Sequence, residues 1–321
     1  LVTGGTGFIG ANLVRRLLND GHEVHLLVRS QYQSWRIDDI RRDISLHATD
    51  LTQSSRVAAL LEKIKPDWIF HLAAYGAYSA QQGFGQMLQT NFQGTVNLVE
   101  AGLKLGFAAL VNVGSSSEYG FKDHAPKEDE AIRPNSDYAL TKAYATLYCQ
   151  HQALCQQSKI VTLRPYSIYG PFEEPTRLLP TLIMRGLNGE WPPLVNPSVA
   201  RDYVYVDDFV DACLLAAQRK SPELGAIYNV GTGVQTSLKE LVALAKTKLA
   251  ITAKPQWGTM KNRIWDTDVW VSDSRKIHKE LGWRARYPLN KGLPKMIAWF
   301  NANPNLLDFY QQAVKRKIHC R

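Results

Sequence analysis

The feature that most constrains this chain stands at its first turn. Residues 1–3 form the apolar end of a strand, Gly4-Gly5-Thr6-Gly7-Phe8-Ile9-Gly10 follow, and an amphipathic run over 11–18 closes on Asn19-Asp20-Gly21. Strand, glycine turn and helix in that order call for glycine twice over. The bend is tight, and the backbone must approach whatever sits at the helix N-terminus, where unpaired N–H groups favour an anion such as a pyrophosphate. Gly7 and Gly10 stand where that approach is needed. The chain opens inside the strand, so further residues are expected before Leu1.

The rest of the first half repeats the alternation. Residues 23–28, 44–48 and 68–72 read as strands, with helical patterns between them. Strands that alternate with helices of this length predict an α/β fold, a Rossmann-type doubly wound parallel sheet whose ligand lies at the carboxyl ends of its strands. Past residue 170 the alternation gives way to Pro-rich, aromatic segments such as Trp191-Pro192-Pro193. The expected division is a dinucleotide-binding domain over 1–168, with later strands around 201–232 contributing. Residues 169–321 then form mainly a smaller, interleaved substrate-binding region.

Composition narrows the class. In 321 residues no apolar run reaches the roughly 20 needed to cross a bilayer, so no membrane partner is expected. Cys149, Cys155, Cys213 and Cys320 lack CxxC spacing and the density of a disulfide scaffold, which predicts reduced thiols, a cytoplasmic location and no metal. The net charge of +9 is scattered apart from Lys315, Arg316, Lys317 and Arg321. Scatter of this kind predicts a cleft that gathers small anions and no nucleic-acid partner.

An NAD site usually has Asp or Glu at the end of its second strand, accepting hydrogen bonds from the adenosine ribose. This chain has Arg29-Ser30 there. A guanidinium pairs with a ribose 2′-phosphate, so NADP(H) is the expected cofactor, with NAD(H) the alternative.

The candidate chemistry follows the apolar strand 109–113. It runs into Gly114-Ser115-Ser116-Ser117-Glu118-Tyr119-Gly120, and after a polar loop Pro134-Asn135-Ser136-Asp137 offers helix-start residues before a helical stretch over 138–157. Tyr138 and Lys142 then share one helix face. A neighbouring ammonium favours the phenolate and would make Tyr138 a usable acid or base near neutral pH. Ser115, with Ser116 as second choice, would hydrogen-bond the same alcohol or carbonyl oxygen while hydride moves.

These residues carry a resemblance over nearly the whole chain. Thr3 to Gly10, Asp50-Leu51, His71-Leu72-Ala73-Ala74, Asn91 with Gly94-Thr95, Ser115 to Gly120, Tyr138 with Lys142, Arg164-Pro165, Tyr169-Gly170-Pro171 and Arg201-Asp202-Tyr203 resemble the extended short-chain dehydrogenase/reductase family. Within it they resemble the nucleotide-sugar epimerases, dehydratases and 4-keto reductases. The resemblance implies a cofactor held by Gly4, Gly7, Phe8, Ile9 and Gly10. It puts Asp50 and Leu51 beside the adenine, Ala73, Ala74 and Asn91 along the cofactor, and the loop after Pro165 near the nicotinamide. It makes Arg201 and Arg263 a clamp on the diphosphate of a nucleotide-sugar. Trp257, Trp265 and Trp270 lie close in sequence to Arg263, so that one is available to cover a base or sugar while most are expected to pack in the core. It also implies a homodimer, paired through helices near 86–104 and 138–157.

Two departures bear on the reaction. Family dehydratases carry an acid, typically Glu, two positions before the tyrosine corresponding to Tyr119, where this chain has Ser117. After Arg164-Pro165-Tyr166 many relatives have a substrate-binding Asn, where this chain has Ser167. With Arg29 in view, the expected reaction is reduction of a 4-keto-hexose by NADPH, Tyr138 acting as acid. The alternative is a 4-epimerase with tightly held NAD.

Overall fold

In the computed structural model, residues 1–78, 81–219, 223–263 and 266–319 are described, 315–319 by backbone alone. Trp265, Cys320, Arg321 and the side chains of Lys315, Arg316 and Lys317 lie outside the described residues. The first half alternates as expected: β1 Val2–Thr3, α1 Phe8–Asn19, β2 His25–Val28, β3 Ser45–Ala48, α2 Ser54–Ile64, β4 Trp68–His71, a short α3 Phe84–Met87, α4 Gly94–Leu105 and β5 Ala109–Val113. It continues with α5 Asp137–Cys155, β6 Ile160–Pro165, β7 Ser167–Tyr169, α6 Leu178–Gly186, β8 Ala200–Arg201, β9 Tyr203–Tyr205, α7 Val206–Gln218 and β10 Ile227–Val230. The last elements are β11 Thr236–Ser237, α8 Leu238–Lys248, α9 Arg275–Leu281, α10 Leu289–Ala302 and α11 Pro304–His319.

Seven strands form one parallel sheet in the order β10-β6-β5-β4-β1-β2-β3. The order reverses between β1 and β4, which opens a crevice at their carboxyl ends. Side chains on a strand alternate between faces, and here both faces are covered. Leu26, Val111 and Leu163 join α1 and α7 in one apolar cluster, while Leu27, Leu110 and Ile160 join α2, α4 and α5 in another. Burial on both faces explains why these strands read as continuous apolar runs.

A third cluster lies outside the sheet and unites α6, α8, α10 and α11 through Leu182, Leu241, Phe300 and Tyr310. Two small two-stranded sheets, β7 with β9 and β8 with β11, carry the chain between the two regions. The strand-like run read over 202–206 is shorter than expected, because β9 stops at Tyr205 and α7 begins at Val206. Asp207 and Asp208 in the first turn of α7 favour that helix start. Among the described residues no helix is long and apolar enough to cross a membrane.

Candidate active site

The first turn follows β1 at the crevice. Gly4 has φ +70°, and a Cβ there would stand 2.6 Å from the Ala73 amide nitrogen. At Gly10 a Cβ would stand 2.1 Å from the Gly4 carbonyl oxygen. Gly7 precedes α1 without any side-chain cap, so the first N–H groups of a 12-residue helix are not satisfied by their own side chains. This cradle of close backbone and open helix end fits a dinucleotide pyrophosphate. Phe8 is buried and Ile9 half-buried beneath it, while Arg29 and Ser30 stand exposed past the end of β2.

Asp50 is exposed and turns its Oδ1 onto the backbone N–H and hydroxyl of Thr52, at 2.9 and 2.8 Å. Leu51 is buried beside Gly94, whose missing Cβ makes room for it. Ala73 donates its N–H to the Thr3 hydroxyl at 3.2 Å, and Ala74 is exposed one residue on. His71 is fully buried between Thr3 Oγ1 at 2.6 Å and Thr95 Oγ1 at 2.9 Å. Burial, with Lys142 adding to it, holds its imidazole neutral with a pKa of about 3. The ring ties β1 and β4 to α4.

Asn91 is held by the protein on both sides of its amide. It sits in a π-helical turn over Leu88–Gln93 and is fully buried. Its Oδ1 accepts from the Tyr75 N–H at 2.8 Å, and its amide donates to the Tyr75 carbonyl at 2.8 Å and to Thr141 Oγ1 at 2.9 Å. Both amide functions therefore bind protein, and Asn91 fixes the loop after β4 against α5.

At the end of β5 the serine run folds into a short 3₁₀ turn, Ser116–Tyr119, capped by Ser115. Ser136 caps α5 by accepting from the Ala139 N–H at 3.2 Å, as the helix-start residues predicted. The two caps bring Ser115 close enough to Tyr138 to act on its phenol, while Ser115 Oγ also lies 2.6 Å from Ser117 Oγ. Lys142 is buried one turn further along α5.

Burial dominates the electrostatics of the pair. Burial pushes Tyr138 up to about 12, Glu118 adds to the rise, and the Ser115 hydrogen bond opposes it. Tyr78 raises it further and Arg177 lowers it. Lys142 is not among these influences. Burial lowers its own ammonium, with Glu118 and Cys149 acting to restore it. The chain's own groups thus favour the neutral phenol at Tyr138, through burial first and the Glu118 carboxylate second.

Glu118 is the residue the sequence reading undervalued. It is fully buried, its Oε2 accepts from Arg164 Nε at 2.8 Å, and its Oε1 accepts from the Ser115 N–H at 2.7 Å and Thr146 Oγ1 at 3.0 Å. The signal available was the Ser115-x-x-Glu118 spacing of a capping box. Arg164 in turn donates to the Tyr119 hydroxyl at 2.7 Å, and that hydroxyl donates to Asn229 Oδ1 at 2.8 Å.

Beyond the serine turn, Ser116, Tyr119, Lys122, His124, Tyr166 and Trp270 line a shallow, open surface cleft. Pro165 ends β6 at its edge, and the Ser167 N–H donates to the Asp202 carbonyl at 2.9 Å. Arg201 stacks 5.6 Å from the centre of the Trp270 ring and pairs with Asp266 at 2.9 Å. The other Asp266 oxygen accepts from the Arg263 backbone N–H at 2.8 Å. A single carboxylate, which sequence reasoning did not pick out, therefore joins the segments of both arginines. Trp257 packs against the outer apolar cluster.

Glycine cradle, serine–tyrosine pair and parallel sheet define an enzyme of the Rossmann class built for pyridine-nucleotide chemistry, of the short-chain dehydrogenase/reductase type. The chain belongs to the NAD dependent epimerase/dehydratase family, whose model matches residues 1–231. It is 31% identical over 311 residues to a UDP-glucose 4-epimerase of Mycolicibacterium smegmatis, covering 94% of this chain and 97% of that one. It is 29% identical over 312 residues to a dTDP-glucose 4,6-dehydratase of Streptomyces griseus, covering 94% and 93%. A crystal structure of Thermus thermophilus UDP-glucose 4-epimerase in complex with NAD superposes with a TM-score of 0.82 at 26% identity, covering 94% of this chain and 98% of that one.

Proposed function

We propose that this chain is an NAD-dependent nucleotide-sugar 4-epimerase, with Tyr138 exchanging a proton at the sugar C4 oxygen and Ser115 holding that oxygen. The observation that carries this reading is the position of Glu118. It is the one carboxyl in the run 114–120, and it is turned into the core against Arg164. Elimination of water from C6 then lacks its expected acid, which counts against a dehydratase reading. The 4-epimerases among the relatives support what remains over the net reduction expected from Arg29.

The residues divide the work. Gly4, Gly7 and Gly10 would hold the cofactor pyrophosphate against α1, with Leu51, Ala73 and Ala74 beside it. NAD held there would supply a reversible acceptor and donor of hydride for the sugar C4. With the positive nicotinamide ring of bound NAD favouring the phenolate, Tyr138 Oη would take the hydroxyl proton in one half-reaction and give it back in the other. Arg201 and Arg263 hold the diphosphate, and Ser116 and Ser167 border the sugar. A homodimer through α5 is supported by an exposed apolar face of Tyr144, Leu147 and Leu154, 39%, 49% and 52% accessible. A monomeric mass by light scattering would overturn it.

A second reading, an NADPH-dependent 4-keto reductase, is favoured by Arg29 at the end of β2 and by the neutral Tyr138, the form that donates. One experiment separates the two. The protein is incubated with a panel of nucleotide-sugars and nucleotide 4-keto-sugars, following cofactor absorbance and product identity together. Interconversion of C4 isomers without net cofactor change is the expected result. Stoichiometric loss of NADPH with a 4-keto substrate would replace it by the second reading.

A further inference from the structure

We propose that Glu118, clamped by Arg164, is a positioning residue that sets both the place of Ser115 and the charge felt by Tyr138. The inference rests on the reading of Ser115 and Tyr138 given above. The simplest alternative is that Glu118 only completes a capping box, a common device at helix starts. An ordinary cap of that kind sits in water, as the Ser237–Glu240 box at the start of α8 does. Glu118 is instead wholly buried, as is Arg164, and burying an ion pair is costly unless every lone pair and proton finds a partner.

The surroundings are arranged to meet that cost at this one place. Both Glu118 oxygens are bound, to Arg164 on β6, to Thr146 on α5 and to the Ser115 backbone. Gly114 makes the approach possible, since a Cβ there would stand 2.6 Å from Glu118 Oε1. Arg164 is fixed in turn by the Tyr119 hydroxyl and lies 4.5 Å from the centre of that ring. The carboxylate is thus immobilised directly behind the serine whose hydroxyl meets Tyr138.

Its field reaches the acid–base pair. The groups acting on Tyr138 are Glu118 and Ser115 from the turn after β5, Tyr78 from the segment after β4, and Arg177 from the segment before α6. Those acting on Lys142 are Glu118 and Cys149. Glu118 is the one carboxylate common to both sets, and it favours the protonated form of each. Removing its charge therefore moves both groups to lower pH, whereas loss of a purely structural cap would leave their titration in place.

The test compares pH profiles of turnover for the parent, Glu118→Gln and Glu118→Asp, with Tyr138→Phe as the baseline. Glu118→Gln is expected to lose about tenfold in kcat, as a small misplacement at a reacting centre does. Its alkaline limb should move down by about one pH unit, the low end of what a neighbouring charge produces. KM and NAD affinity should stay within about twofold, well under the tenfold that 1.4 kcal/mol would bring. Glu118→Asp, which keeps the charge, should restore the position of the limb. If Glu118→Gln does not fold, the Glu118→Gln/Arg164→Met double variant removes both charges together and should show the same displaced limb. A limb that stays in place in the folded variant overturns the proposal. A Tyr138→Phe variant with parent activity overturns the reading of the site instead, whatever Glu118→Gln does.

Discussion

The Gly10 Cα lies so close under the Gly4 carbonyl that a Cβ at position 10 would stand 2.1 Å from its oxygen. The obstructing atom is backbone, so no side chain can swing aside. Gly10→Ala must open the turn that faces the α1 N-terminus, and overpacking of this kind costs about 1–3 kcal/mol. Calorimetric titration with NAD is expected to show at least about tenfold weaker binding, the equivalent of 1.4 kcal/mol, with a lower Tm in the melt of the same sample. Unchanged NAD affinity would mean that the turn does not hold the cofactor.

The substrate role proposed for Arg201 can be tested apart from the cofactor cradle. Its guanidinium is held by Asp266 and faces Trp270 at the cleft. Hydrogen bonds to charged groups contribute about 1.5–3 kcal/mol, so Arg201→Ala should raise KM for the nucleotide-sugar at least about tenfold with NAD affinity intact. Steady-state kinetics with parallel NAD titration would check this, and an unaltered KM would remove Arg201 from the diphosphate site.

Arg164 predicts a stability effect of a different size. Arg164→Met strands the Glu118 carboxylate in the core, and breaking one side of a buried pair costs about 3–5 kcal/mol. Urea unfolding of Arg164→Met should show that loss, and the Glu118→Gln/Arg164→Met pair should recover much of it. If the double variant is as unstable as the single one, the loss comes from the Tyr119 contact and not from the stranded charge.

Glu173 carries a pH dependence. Burial raises its carboxyl to about 8, against the opposing pull of Arg177, and its Oε2 has no hydrogen-bond partner among the described residues. The folded chain then holds a proton that the unfolded chain has released between the usual carboxylate range and about pH 8. Stability from this group is complete below that window and is lost as pH rises through the folded value. Glu173→Gln, which does not titrate, should gain in Tm relative to the parent as pH rises from 5 to 9. A gap between the two that stays constant with pH would contradict the assignment.

Much of this was legible in the sequence because it depends on local order. The glycine turn, the end of β5 at Val113 and the cap at Ser136 are each fixed by neighbours within a few residues, and all three fell where they were read. What stayed hidden depends on partners far along the chain. Glu118 reads as a displaced acid until Arg164, 46 residues on, is seen against it. Asp266 acquires meaning only beside Arg201, and Asp202 only when Thr232, Gly233 and Ser272 fold around its carboxylate. Trp35, in the segment after β2, packs on Phe309 and Tyr310 of α11, a contact no local pattern announces. The upward push on Tyr138 stayed hidden for a similar reason. Spacing on a helix gives proximity, but the balance of burial and charge around the phenol is set by elements that spacing does not reveal.

The central claim is that Tyr138 Oη exchanges the proton at the sugar C4 oxygen. It is tested most directly by assaying C4 interconversion of a nucleotide-sugar by Tyr138→Phe with NAD bound, beside the parent. Loss of one general acid–base group predicts a fall in kcat of at least about 10²-fold, with the fold, NAD affinity and KM retained. A Tyr138→Phe enzyme that interconverts the isomers at the parent rate would contradict the account.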